Sequence, residues 1–287
     1  MIKPLLAALG VALALAGCKQ EPIAADPALW HVVGTRGEEA WLFGTIHAAP
    51  APIAWKTPKV AEALGRSAAI MVEVANLADE AAVARAFTAL SRTKGLPPVE
   101  QRVAPEQREA LDKLLAERKV EPGDLQDFET WAVALTLARS GDNKDARNGI
   151  DRAVLAAAAG KPVIELEGAS RQLAIFDALP EADQRDLLRA VVTDADALGG
   201  KDDDLAATWR KGDMARIEVE TRTGILADPE LRKALFTDRN LRWSSRIVSE
   251  MNHGRRPFVA VGAAHMAGPD GLVARLEGAG YSVTRVR

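Results

Sequence analysis

Apolar residues in this chain follow two spacings, and the switches between them mark out its elements. Short dense runs at Trp30 to Val33, Ala40 to Phe43, Ala68 to Val72, Pro162 to Leu166, Phe258 to Val261 and Tyr281 to Val286 are bounded by turn formers and predict strands. The first two flank Gly34-Thr35-Arg36-Gly37, a hairpin loop. Helical spacing predicts helices over Thr57 to Gly65, over Gly149 to about Ala159 with Gly160 as the stop, from Ser170 onward, and over Gly271 to Glu277. It dominates two longer stretches. One, about 79–147, predicts a helical insertion; the other runs from about Glu181 to Met251 with breaks at Gly199-Gly200, Gly212-Asp213 and Asp228-Pro229. Strands separated by helices imply an α/β fold: a mixed, mainly parallel sheet with helices on both faces, an early β-hairpin and helical insertions. The functional crevice of such a sheet lies beyond the carboxyl ends of its strands.

The N-terminus adds a compartment to this picture. Lys3 precedes an apolar run, Leu5 to Ala16, that is too short to span a bilayer as a mature helix and reads as a signal peptide over 1–17. It ends Leu15-Ala16-Gly17-Cys18, which resembles the bacterial lipoprotein processing site, so Cys18 is the expected lipidation site and residues 18–28 a tether ahead of one domain over 29–287. The expected location is the bacterial cell envelope, lipid-anchored, facing the periplasm or in the outer membrane. Cys18 is the only cysteine, which excludes an intramolecular disulfide, a thiolate metal site and a second cysteine as nucleophile. A net charge of −3 without a long Lys/Arg cluster gives no footprint for nucleic acid. With 48% hydrophobic residues in 287, there is ample chain for a large core.

Candidate chemistry comes from a near-repeat. Trp41-Leu42-Phe43-Gly44-Thr45-Ile46-His47 and Phe258-Val259-Ala260-Val261-Gly262-Ala263-Ala264-His265 each run an apolar strand into Gly-x-x-His. The chain has four histidines, and two of them occupy equivalent places in this repeat; His31 and His253 have no comparable context. Gly44 and Gly262, lacking a Cβ, allow a sharp turn or a close backbone approach that aims the imidazole inward. Glu73 and Glu167 also fall just past predicted strand ends. Two imidazoles with one or two carboxylates suit a divalent metal, Zn, Mn, Co or Fe, with an open position for water or substrate. The plain alternative is a pair of hydrogen-bonded histidines at strand-to-loop junctions. Arg239, with Asn240 beside it, reads either as a surface arginine or as a guanidinium reaching across the crevice to a developing oxyanion. Asp151 reads as a helix N-terminal acid. No HExxH, Walker, Rossmann or Gly-x-Ser-x-Gly signature is present.

From Trp30 to Val286 the sequence resembles the TraB/GumN family, relatives of the Tiki metalloproteases. The resemblance is carried by Trp41 to His47, the strand ending in Glu73, Gly149-Ile150-Asp151, Leu166-Glu167 with Gln172, Arg239-Asn240, and Val261 to His265. Two mild departures are Gly168, where the family commonly has Thr, and Asp238, where it often has Glu. The resemblance implies a metal site built on both Gly-x-x-His motifs and, as in the Tiki members, hydrolysis of a peptide or other carbonyl substrate. In that scheme His47 and His265 ligate the metal with Glu73 or Glu167. The other carboxylate is general base, Arg239 stabilises the oxyanion and Asp151 orients a ligand. The alternative from another class is a non-catalytic lipoprotein that binds a ligand such as haem through the same histidines, or a scaffold.

Overall fold

The computed structural model describes residues 21–77, 79–138, 145–198 and 205–287. The signal segment, Cys18 and the Gly199-Gly200 break lie outside these. Eight strands and twelve helices follow in order: β1 Ile23–Ala24, β2 Leu29–Val33, β3 Glu39–Thr45, β4 Ile53–Ala54, α1 Pro58–Arg66, β5 Ala69–Val72, α2 Glu80–Leu90, α3 Arg108–Arg118, α4 Thr130–Ala138, α5 Ile150–Ala156, β6 Val163–Glu165, α6 Ala169–Asp177, α7 Glu181–Leu198, α8 Leu205–Arg210, α9 Met214–Glu220, α10 Pro229–Arg232, α11 Asp238–Asn252, β7 Pro257–Gly262, α12 Leu272–Gly278 and β8 Ser282–Arg285. A five-residue π turn, Lys233–Thr237, feeds α11.

The main sheet has the order β6-β5-β7-β3-β2-β8. Its first four strands are mutually parallel, and β2 pairs antiparallel with both β3 and β8, so that β2 alone runs against the rest of the sheet and the fold is the expected mixed, mainly parallel α/β arrangement. The central strands β7 and β5 are buried along nearly their whole length, as a sheet covered on both faces requires. On one side Phe43 and Phe258 pack with Trp209, Val60 and Val154; on the other Leu42, Met71 and Val259 pack with Trp243, Ile247 and Leu276. A third apolar cluster joins α3, α4 and α7 and lies in the helix-rich part of the chain.

Most sequence boundaries shift by a residue or two, but two differences have consequences. β3 continues through Gly44 to Thr45, so the motif glycine is part of the strand. The predicted tether is also docked from Ile23 onward: Ile23 pairs with β4, and the Asp26 amide donates to the Arg210 carbonyl at 2.7 Å. Its alanines explain this, since Ala25 packs against the first core and Ala28 is buried. No helix among the described residues is long and apolar enough to cross a membrane.

The candidate site at the rim of the parallel strands

Because β3 and β7 are parallel neighbours, the two Gly-x-x-His motifs leave the sheet side by side. Their register sets Gly44 opposite Val261 and Thr45 opposite Gly262, a stagger of one residue. Gly44 is required for this. A Cβ there would lie 2.8 Å from the Ala263 Cα, so the turn carrying His265 packs directly on the backbone of β3. Gly44→Ala is expected to cost about 1–3 kcal/mol, as overpacking against backbone does, readable as a lower urea midpoint. Gly262 does something else. A Cβ on it would lie 3.4 Å from Glu73 Oε1, 3.6 Å from His265 Cδ2 and 4.0 Å from His47 Nε2, so this residue marks the point around which the three groups gather.

Each imidazole is fixed through Nδ1. His47 Nδ1 donates to Asp151 Oδ2 at 2.7 Å, and Thr45 Oγ1 donates to the other Asp151 oxygen. His265 Nδ1 donates to Asn240 Oδ1 at 2.7 Å, while Asn240 Nδ2 donates to the Asp270 carbonyl at 2.9 Å, which settles which end of the amide faces the ring. Both Nε2 atoms thereby face the site, that of His265 already 3.3 Å from Arg239 Nη1. The two rings differ in setting. His47 opens 74% of its side-chain surface to a cleft, and its hydrogen bond to Asp151 raises its pKa to about 9 against the opposing effect of desolvation. His265 is buried between Phe236, stacked at 5.3 Å, and Trp243 at 4.5 Å; burial, with the charges of Arg239 and His47, pushes its pKa well below the imidazole value.

Glu73 ends β5. Its Oε1 accepts from the Gly262 amide at 2.7 Å, and its Oε2 accepts from Arg239 Nη2 at 2.7 Å and from Gln172 Nε2 at 3.1 Å. Burial works against this carboxylate, but the charges of His265, Arg239 and His47 outweigh it and hold the pKa at about 2. Glu167 stands behind it. Both of its oxygens accept from Arg239 Nε at 3.1 Å, Oε2 also from Nη2 at 2.9 Å and Oε1 also from Trp243 Nε1 at 3.1 Å. Only 2% of its side-chain surface is exposed.

The structure thus gathers every residue that the sequence singled out at this rim but changes two roles. Glu167 has its acceptor sites taken, so it is placed as an anchor rather than as a ligand or a base. Arg239 has no free donor for an oxyanion: Nη1 faces the Leu235 carbonyl at 3.2 Å and His265 Nε2 at 3.3 Å, so all five guanidinium N–H groups are engaged. Asp151 is both a first-turn acid of α5 and the partner of His47. Sequence reasoning missed Thr45, Phe236 and Trp243. Thr45 was in view as the residue after Gly44, but nothing local announces its partner 106 positions on.

Among the described residues, no three His, Cys, Asp or Glu side chains form a ready-made metal cage. The donor types nevertheless suit a divalent cation, namely two imidazoles with Nδ1 pinned by oxygen acceptors and one ionised carboxylate. Glu73 Oε1 fits as it stands, and His47 Nε2 fits once the extra proton it carries below about pH 9 has left. His265 Nε2 is shared with Arg239, a cation already present.

The family model for the TraB/PrgY/gumN family matches residues 28–285. The proteins named "Uncharacterized protein YbaP" from Escherichia coli (strain K12) and from Shigella flexneri are each 28% identical over 239 residues, covering 80% of this chain and 85% of their own. No solved structure matches the chain. Matching the family model over nearly its whole length, from the first strand of the hairpin to the last strand of the sheet, the chain belongs to the TraB/PrgY/gumN family.

Proposed function

We propose that the protein is an envelope lipoprotein, anchored through Cys18, that hydrolyses a peptide or another carbonyl substrate with a divalent metal held by His47, His265 and Glu73. The observation that carries this reading is the convergence of His47 Nε2, Glu73 Oε1 and His265 around Gly262, with each imidazole pinned from behind. A divalent cation supplies Lewis acidity that polarises a carbonyl. The chain's own residues do the rest. Asp151 and Thr45 hold His47 in one tautomer, Asn240 does so for His265, and Gln172 and Arg239 fix Glu73. Glu73 Oε1 keeps one lone pair beside the Gly262 amide, the position from which this carboxylate would bind the cation. The anchor rests on the Leu15-Ala16-Gly17-Cys18 sequence.

The cleft has a volume of about 270 Å³ and a charged floor. Its size and its mixed charged and apolar lining suit a small ligand better than a porphyrin, which needs a broad apolar slot. The test is turnover of a quenched peptide library by purified protein, with chelator and then with Zn, Mn, Co or Fe added back. We expect turnover that chelator removes and one metal restores; chelator-insensitive turnover, or a Soret band in the purified protein, would count against this reading.

A further inference from the structure

The cleft above His47 has polar and apolar walls. It is lined by His47, Glu73, Val74, Leu77, Arg152 and Gln172, among others. Nearly all its charge is already spoken for. Asp151 is taken by Thr45 and His47, and Glu73 by Gly262, Arg239 and Gln172. Arg152 is the exception. Among the described residues its one ion pair is with Glu80 at 3.5 Å, and Glu80 is 81% exposed, so water screens that contact and it holds the guanidinium weakly. Arg152 itself is 30% exposed.

We propose that Arg152 is a carboxylate-binding subsite of this cleft, and that it selects substrates with a free α-carboxylate next to the scissile carbonyl. The planar fork of a guanidinium matches a carboxylate through two parallel hydrogen bonds. Arg152 directly follows Asp151, the residue that holds His47, so the short helix α5 fixes both the anion site and the ring at the reacting end. Val74 and Leu77, on the segment after β5, give the same cleft apolar surface for the terminal side chain. The nearby Glu73 and Asp151 carboxylates repel a multiply charged anion such as phosphate more than a singly charged one, which favours a carboxylate. The substrate class is therefore a peptide or N-acyl amino acid with an apolar C-terminal residue. The chemistry rests on the hydrolase reading; the binding does not.

Binding and cleavage are measured separately. An N-acetyl dipeptide ending in leucine, as free acid and as carboxamide, is titrated by calorimetry into the full protein and into Arg152→Gln, and cleavage of both is followed by chromatography. The free acid is expected to bind the wild type about tenfold or more tighter than the amide, as a charge-assisted hydrogen-bond pair gives. Arg152→Gln is expected to erase that preference by weakening the acid's binding about tenfold more than the amide's. Equal binding of acid and amide by wild type, no binding of either, or a preference that survives Arg152→Gln overturns the subsite. Acid-selective binding without cleavage upholds it and removes the hydrolase reading; equal cleavage of acid and amide does the reverse.

Discussion

Arg239→Met is expected to lower folding stability by about 3–5 kcal/mol, the usual result of removing one partner from a buried ion pair. The side chains of Glu73 and Glu167 are 8% and 2% exposed, and the guanidinium donates to both. Without it two carboxylates stay in a poorly solvated pocket, with Gly262, Gln172 and Trp243 as hydrogen-bond donors and, as charges, His47 near Glu73 and the exposed Arg242 at 3.7 Å from Glu167. Urea unfolding followed by tryptophan fluorescence would register the loss, and a difference below about 1 kcal/mol would mean the pair is far better hydrated than its burial indicates. Because so large a loss can unfold a domain of ordinary stability, a second variant keeps the prediction decidable. Arg239→Met with Glu167→Gln removes one orphaned charge and should recover part of the deficit. The pH dependence has a definite sign. Glu73 has a folded pKa of about 2 against 4.5 unfolded, so the stability it confers is present above pH 4.5 and is lost as pH falls towards 2. The gap between wild type and Arg239→Met should therefore close in acid.

The pairing within this clamp is what the sequence concealed, although its three residues were named, and the reason is physical. The near-repeat of Gly-x-x-His could be read because parallel neighbours deliver equivalent residues to the same rim, and that logic follows from strand spacing alone. Gly44 was legible for the same reason: its lack of a Cβ allows the Ala263 turn to approach. Arg239 was not. Its partners lie 72 and 166 positions away, and what aims it is the π turn at Lys233–Thr237 feeding α11, a local irregularity that periodicity does not register. Glu167 fails in the complementary way. Its place after β6 was visible, but whether its oxygens were free depended on Arg239 and Trp243, two residues on a helix that hydrophobic spacing describes only by its buried face. The tether shows the same limit, since two prolines and charges mark a linker while the docking of Ile23 on β4 depends on a strand of two residues.

The largest functional effect is expected at the two histidines. If both ligate one cation, His47→Ala should weaken binding of Zn or Mn by more than about 100-fold and His265→Ala by a smaller factor, because loss even of a residue that only hydrogen-bonds a ligand costs about 10–100-fold. Asp151→Asn supplies that lesser reference in the same protein. It keeps the shape beside His47 Nδ1 but removes the charge that fixes the tautomer, so its affinity should fall between wild type and His47→Ala. His47 carries an extra proton below about pH 9, and a metal at Nε2 must displace it, so affinity should weaken as pH falls from 9 and each bound metal should release a proton, both measurable by calorimetry in buffers of different ionisation enthalpy. The rings need not contribute equally. His47 Nε2 opens on the cleft, whereas His265 Nε2 is shared with Arg239 at 3.3 Å and must give up that contact to bind a metal. Loss of His47 should then abolish binding, while loss of His265 costs less than its place in the motif implies. Unchanged affinity in both single variants would leave the imidazoles as structural groups and the Glu73–Arg239–Glu167 cluster as a purely internal ion network.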